Sequence, residues 1–146
     1  MSYVDKSLIP NETVTFRTRL HPIIFAWPLL FALLAIALLA YGAHAAAGFV
    51  FLIACILGLM KYLVFISSEF AVTNKRVIIK VGVFRRRTLE MLLSKVEAIA
   101  VTQGIMGRIF GCGSIVVTGT GGTHEPFANI SAPLEFRRAV QAASSV

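Results

Sequence analysis

Between Pro22 and Ile66 the chain runs for 45 residues with a single charged side chain, Lys61, and this stretch constrains the fold more than any other feature. A helix needs roughly 20 apolar residues to cross about 30 Å of hydrocarbon. Pro22 to Gly42 supplies 21 residues without a charge. A second uncharged run, Ala45 to Met60, continues through Lys61 and Tyr62 into Leu63 to Ile66. Only the small residues around Gly42, Ala43 and His44 separate the two runs. The pattern predicts a membrane α-helical hairpin of two transmembrane helices over residues 22–66.

Two other readings of this stretch are weaker. Ala43-His44-Ala45 has the small-x-small form of a signal-peptide cleavage site. A signal's apolar region is only about 7–15 residues, however, and here a second apolar run follows at once. A buried hairpin in a soluble protein would need some polar face toward water, and neither run has one. Pro28 falls about one turn into the first span, where a modest kink is expected. Trp27, Tyr41 and Tyr62 fall near the span ends and read as interfacial anchors. Lys61 lies near the end of the second span, where its long side chain can reach the headgroups; it joins Trp27, Tyr41 and Tyr62 as a membrane-interface anchor.

Charge sets the expected orientation. Lys6, Arg17 and Arg19 precede the first span, Lys61, Lys75, Arg76 and Lys80 follow the second, and the connection carries no Lys or Arg. By the positive-inside bias both termini are expected on the cytoplasmic side of the membrane. At 146 residues the chain has room for one small domain beside the anchor. Of its formal charge of +7, residues 67–146 carry ten Lys/Arg against five Asp/Glu. Such a balance beside a membrane attracts anionic lipid headgroups by the same long-range field that would attract nucleic acid. We expect anionic lipid and no nucleic acid. Cys55 in an apolar run and Cys112 in the polar half belong to different environments and are not expected to pair.

The expected division is an N-terminal cytoplasmic segment 1–21, the hairpin 22–66 and a small mainly β domain 67–146. Thr13 to Arg19 alternates polar with apolar or β-branched residues, a weak strand that either lies along the membrane surface or pairs with the later domain. Phe70–Thr73 and Val77–Val81 flank Asn74-Lys75-Arg76 as a hairpin, and Gly82 punctuates the chain before Val83–Leu93. Val96–Thr102 has apolar residues on both faces and reads as a mostly buried strand. Gly104–Phe110 suggests a helical turn, Ser114–Thr118 a strand, and Gly119–Gly122 a tight turn into His124–Ile130. Phe136, Ala139, Val140 and Ala143 recur at helical spacing after Ser131, an expected N-cap, and Pro133. Strands followed by one amphipathic helix predict an antiparallel sheet with a covering helix.

The wording Phe70-Ala71-Val72-Thr73-Asn74-Lys75-Arg76-Val77-Ile78-Ile79, then Gly82, Leu93-Ser94-Lys95-Val96, and Gly111-Cys112-Gly113-Ser114-Ile115-Val116-Val117 resembles the bacterial pleckstrin-homology-like (PH-like) family of membrane proteins, the DUF304 or YdbS-like group. The resemblance covers residues 67–143 and extends to the preceding spans. It implies a PH-like split barrel with a C-terminal capping helix, attached to helical hairpins, without established catalytic activity. Leu92 stands where family members often carry Pro.

Chemistry is sparse. His124 and Glu125 are adjacent and would point to opposite faces of a strand. Ser114 lacks a nucleophile elbow and Cys112 a neighbouring His in its local pattern. The glycines 119–122 lack the Lys-Ser/Thr of a phosphate-binding loop and read as a turn. No catalytic residue, metal ligand or cofactor is expected. The site-level expectation is a basic surface of Lys75, Arg76, Lys80, Arg85, Arg86 and Arg87 that contacts lipid headgroups or a partner, with a solvated strand face as the competing reading. The expected function is a non-enzymatic, membrane-anchored interaction module at the inner leaflet that binds a protein partner or itself. A sensor of an anionic lipid or small ligand is the alternative, and a membrane enzyme using His124 is a weaker one.

Overall fold

The computed structural model describes residues 2–146, which divide into two compact units, residues 2–21 with 67–146, and Pro22–Ile66. The first is a β-sandwich. One sheet has the order β1-β2-β3-β4, from Val14–Thr18, Glu69–Thr73, Arg76–Val81 and Arg87–Leu92. The other has the order β5-β6-β7, from Val96–Thr102, Cys112–Gly119 and Thr123–Ser131. All pairings are antiparallel. A short helix α1, Tyr3–Ser7, precedes β1. Within this unit the last helix, Pro133–Ser144, packs over β1, β2, β5 and β6.

Of the two alternatives for the N-terminal segment, pairing is the one realised. Phe16 faces Val72 and Thr18 faces Phe70 across the β1–β2 ladder. Residues 2–21, from the segment 1–21 expected to stand apart, therefore share a unit with the domain that follows the hairpin. The apolar hairpin is an insertion between two neighbouring strands of one sheet.

This arrangement explains why β2 and β3 are apolar at consecutive positions. Phe70 pairs with Ile79 and Val72 with Val77, and these four are buried together with Phe127, Ile115 and Val117 of the second sheet. Phe70 and Phe127 meet edge to face at 6.0 Å. Ala71 and Ile78 point the other way, where Val4 of α1 covers them with Tyr3, Leu8 and Val14 around it. A strand covered on both faces loses the polar alternation of a half-exposed one. At roughly 1.5–3 kcal/mol per fully buried large apolar side chain, both layers stabilise the unit.

The closing helix buries Phe136 and Val140, and Phe136 meets Phe16 edge to face at 6.4 Å. Its N-cap is Ala132, not the expected Ser131, because Ser131 is still in β7, where its N–H donates to the Arg19 carbonyl. Ala132 takes the left-handed conformation (φ 51°) that turns the chain from strand to helix. Val96–Thr102 is also less buried than expected. It is an edge strand, and Ala98 and Ala100 face solvent. The strand expected from Val83 begins only at Arg87, because residues 83–86 form the preceding turn.

The second unit is a helical hairpin of α2, Ala26–Ala40, and α3, His44–Ser67. A 3-10 turn, Pro22–Phe25, leads into α2. Pro28 is therefore the third residue of the α-helix, where its missing N–H forfeits no helical hydrogen bond. The expected kink is replaced by this change of helix type ahead of the proline. Both helical segments, Pro22–Ala40 and His44–Ser67, are long and apolar enough to cross a membrane. The turn between them is a Schellman closure: the Gly42 N–H donates to the Leu39 carbonyl and the Ala43 N–H to the Leu38 carbonyl. Gly42 sits at φ 80°, a conformation that favours glycine. Ala35, Ala47 and Ala54 are the buried contacts that let the helices approach.

The remaining short helix, Ile105–Phe110, falls between β5 and β6, where the glycines had suggested a helical turn. In chain order it is α4 and the closing helix is α5.

Candidate functional site

The strand directions divide the six expected basic residues between two ends of one sheet. Lys75 and Arg76 sit at the β2–β3 turn, Arg85 and Arg86 sit in the β3–β4 turn, and Lys80 and Arg87 are the flanking strand residues at that second end. The six residues of β3 separate the ends by about 17 Å at roughly 3.3 Å per residue.

At the first end Arg76 is engaged in a clamp. Its Nε donates to Glu12 Oε1 at 3.0 Å, its Nη1 to Glu90 at 2.6 Å and its Nη2 to the Ser7 carbonyl at 2.5 Å. The Glu12 side chain is fully buried and that of Arg76 only 14% exposed. Glu12 also accepts from the Thr73 hydroxyl at 2.7 Å and the Ile9 N–H at 2.9 Å. Burial pushes the Glu12 carboxyl up, but the hydrogen bonds from Arg76, Ile9 and Thr73 outweigh it and hold the group below its ordinary value. The same bond to Glu12 raises Arg76. Lys75 Nζ donates to the Pro10 carbonyl at 3.0 Å. These two cations fasten the N-terminal segment to the sheet.

Further acidic groups complete the fastening. Glu69 accepts from the Ser2 hydroxyl and from the Tyr3 and Val4 N–H groups at the start of α1. Burial raises its carboxyl, and these bonds with the Arg17 charge bring it below its ordinary value. Asp5 pairs with Arg17 at 2.6 Å, and that hydrogen bond lowers its carboxyl. Neither Glu12 nor Glu69 stood out in the sequence, because, apart from Ile9, their hydrogen-bond partners lie 61 to 67 residues away along the chain.

The second end differs. Lys80 Nζ lies 4.7 Å from the centre of the Tyr3 ring. Arg87 pairs with Glu125 and stacks 5.3 Å from the Phe127 ring. Arg85 and Arg86 are exposed, and among the described residues neither has an ion-pair partner. With Val81 and Arg87 they line a cleft of about 560 Å³. Gly82 makes this turn possible: it sits at φ 90°, and a Cβ there would lie 2.6 Å from the Arg85 carbonyl oxygen. Exposed Phe84 lies at the tip.

This is also the end where the chain joins the apolar hairpin. The Gly82 N–H donates to the Ser68 hydroxyl, and Glu69 faces Lys80 in the ladder, one and two residues beyond the end of α3. Thr18 faces Phe70 there, three residues before His21. Both covalent connections to the hairpin thus leave from the end of the sheet that carries Arg85 and Arg86.

The expected anchors lie on the hairpin. Trp27 is in the first turn of α2, Tyr41 caps its C-terminus, and Lys61 and Tyr62 lie in the last third of α3, all exposed. The catalytic candidates are scattered. Cys112 is buried at the start of β6, Ser114 faces Thr102, and His124 Nδ1 lies 3.2 Å from the Thr118 hydroxyl. Glu125 holds Arg87. Among the described residues no three His, Cys, Asp or Glu side chains gather to hold a metal ion.

Comparison with known families gives a match to a family model described as a bacterial PH domain, over residues 23–144. The matched span takes in the hairpin, β2 to β7 and α5, and begins after β1. No curated protein and no solved structure matches the chain significantly.

Proposed function

The chain belongs to the bacterial PH domain family, whose domain is a general interaction module, and on that premise we propose a non-enzymatic, membrane-anchored module that presents its β-sandwich to a protein partner or to a second copy. The helical hairpin is the anchor and crosses the cytoplasmic membrane twice, with Trp27, Tyr41, Lys61 and Tyr62 at the interfaces. Both termini face the cytoplasm. Arg85 and Arg86 contact anionic headgroups of the inner leaflet. Each Lys or Arg that reaches such a surface contributes about 1 kcal/mol, which orients a domain already held by its spans.

The observation that carries this reading is the coincidence at one end of the sheet: two covalent connections to the apolar hairpin and two exposed arginines without an ion-pair partner among the described residues. Crosslinking in cells, followed by purification in detergent, tests it. A crosslinked homo-oligomer or heteromer is expected. A monomer with no crosslinked partner overturns it, and a reporter at His44 that behaves as cytoplasmic overturns the topology.

The cleft beside Arg85, Arg86 and Arg87 favours a second reading, a sensor of an anionic headgroup or small anionic ligand. In nanodiscs, Arg85→Glu with Arg86→Glu should abolish any dependence of domain orientation on anionic lipid. Unchanged dependence removes this reading.

A further inference from the structure

Helix α4 is built in reverse for a soluble surface. Its four large apolar side chains face outward: Ile105 is 82% exposed, Ile109 69%, Met106 58% and Phe110 50%. Its glycine faces inward, since a Cβ on Gly107 would lie 2.5 Å from the Cys112 carbonyl oxygen. The helix is seated on the sheet by backbone and contributes no buried residue. In water, four such side chains on six residues forfeit several kcal/mol of burial, so the arrangement stabilises the fold little and calls for an apolar environment outside it.

The backbone bonding identifies that environment. Gly111, which ends α4, accepts from the Ala132 N–H, and the neighbouring Ser131 N–H donates to the Arg19 carbonyl. Leu20 bridges to Ile130, and His21 donates to the Asn129 carbonyl. Two hydrogen-bonded steps therefore lead from α4 to the residues immediately before the hairpin. The only charge on α4 is Arg108, and exposed Arg19 lies close by along the same path. Outward apolar side chains with cations and no acid on the helix match the boundary between anionic headgroups and acyl chains.

We propose that α4 is an interfacial membrane helix that buries Ile105, Met106, Ile109 and Phe110 in the headgroup–acyl boundary of the bilayer holding the hairpin, with Arg108 at the phosphates. The sandwich then rests on the membrane through a third contact, which fixes its tilt. This rests on the hairpin being membrane-embedded, and the test separates the two claims.

The full chain is reconstituted in nanodiscs of phosphatidylcholine and phosphatidylglycerol brominated near the headgroup end of the acyl chains. Trp27, the only tryptophan, reports on the hairpin in the unaltered protein. In a Trp27→Phe background, Ile109→Trp and, separately, Ile105→Trp report on α4. Thr120→Trp, in the turn at the far end of β6, is the reference. The α4 probes should be quenched more strongly than the Thr120 probe, as insertion to about 5–10 Å places them beside the brominated carbons. Quenching of Trp27 with both α4 probes no more quenched than the Thr120 probe overturns the proposal and leaves the anchor standing; a protein-docking face would give that result. An unquenched Trp27 overturns the anchor itself, and the proposal with it.

Discussion

Replacing Arg76 by alanine should destabilise the β-sandwich more than any other change to an exposed or partly exposed cation. The substitution leaves the fully buried Glu12 side chain without its charge partner and frees Glu90 and the Ser7 carbonyl. Breaking a buried ion pair by removing one partner costs about 3–5 kcal/mol. Glu12 keeps the Thr73 hydroxyl and the Ile9 N–H, which places the loss near the lower bound, about 3 kcal/mol. For a unit of about 100 residues each kcal/mol lowers the melting midpoint by about 4–8 °C, so a fall of about 15 °C is expected. Arg17→Ala removes a pair whose side chains are 35% and 49% exposed, and water screens such a pair, so it should cost far less. Thermal unfolding of the full chain in detergent, followed by near-ultraviolet circular dichroism, compares them. Adding Glu12→Leu to Arg76→Met should recover part of the loss, because an apolar pair carries no desolvated charge. If Arg76→Ala falls no further than Arg17→Ala, the clamp reasoning is wrong.

Acid should loosen the same segment. Asp5, Glu12 and Glu69 have lowered folded-state values, so the stability they contribute is complete above their ordinary values of 3.8, 4.5 and 4.5 and is lost as pH falls through the folded ones. Between pH 4.5 and about pH 3 the melting midpoint of Glu12→Gln should fall less steeply than that of the unaltered chain, and equal slopes would refute the assignment. Ala132→Gly should stabilise the unit by about 0.5–1 kcal/mol, the left-handed strain of alanine less the added freedom of an unfolded glycine, read as a higher melting midpoint.

What was legible in the sequence was local. The hairpin announces itself by composition, and β2, β3 and α5 by β-branched runs around Asn74-Lys75 and by the spacing of Phe136 and Val140. The family was legible from the wording of those same strands. Pairings across long separations were not. Glu12 reads as an ordinary polar residue until β1 docks beside β2 and brings it to Arg76. The basic residues look like one cluster because they are close along the chain, yet an antiparallel hairpin sends Arg76 to one end of the sheet and Arg85 to the other. Ser131 was read as a cap because its type suits one, while the β7 ladder and the Arg19 carbonyl had already claimed its backbone. The helical turn at Gly104–Phe110 is legible, but not the outward apolar face of α4, since six residues are too few for periodicity to show one.

The insertion of the hairpin between β1 and β2 imposes a parity rule. Strands that share hydrogen bonds occupy one compartment, so between Thr18 and Phe70 the chain must cross a bilayer an even number of times, whatever its flanking charges prefer. It also imposes an order of events. At about 5–20 residues per second, the roughly 50 residues separating these partners keep β1 waiting some seconds after synthesis, while the hairpin settles. A chain in which one helix crosses and the other does not leaves β1 and β2 in different compartments and cannot close its four-stranded sheet. Sheet closure thus excludes a single crossing, and a chain so trapped leaves Val14, Phe16 and the matching edge of β2 uncovered, the kind of open strand edge that invites aggregation.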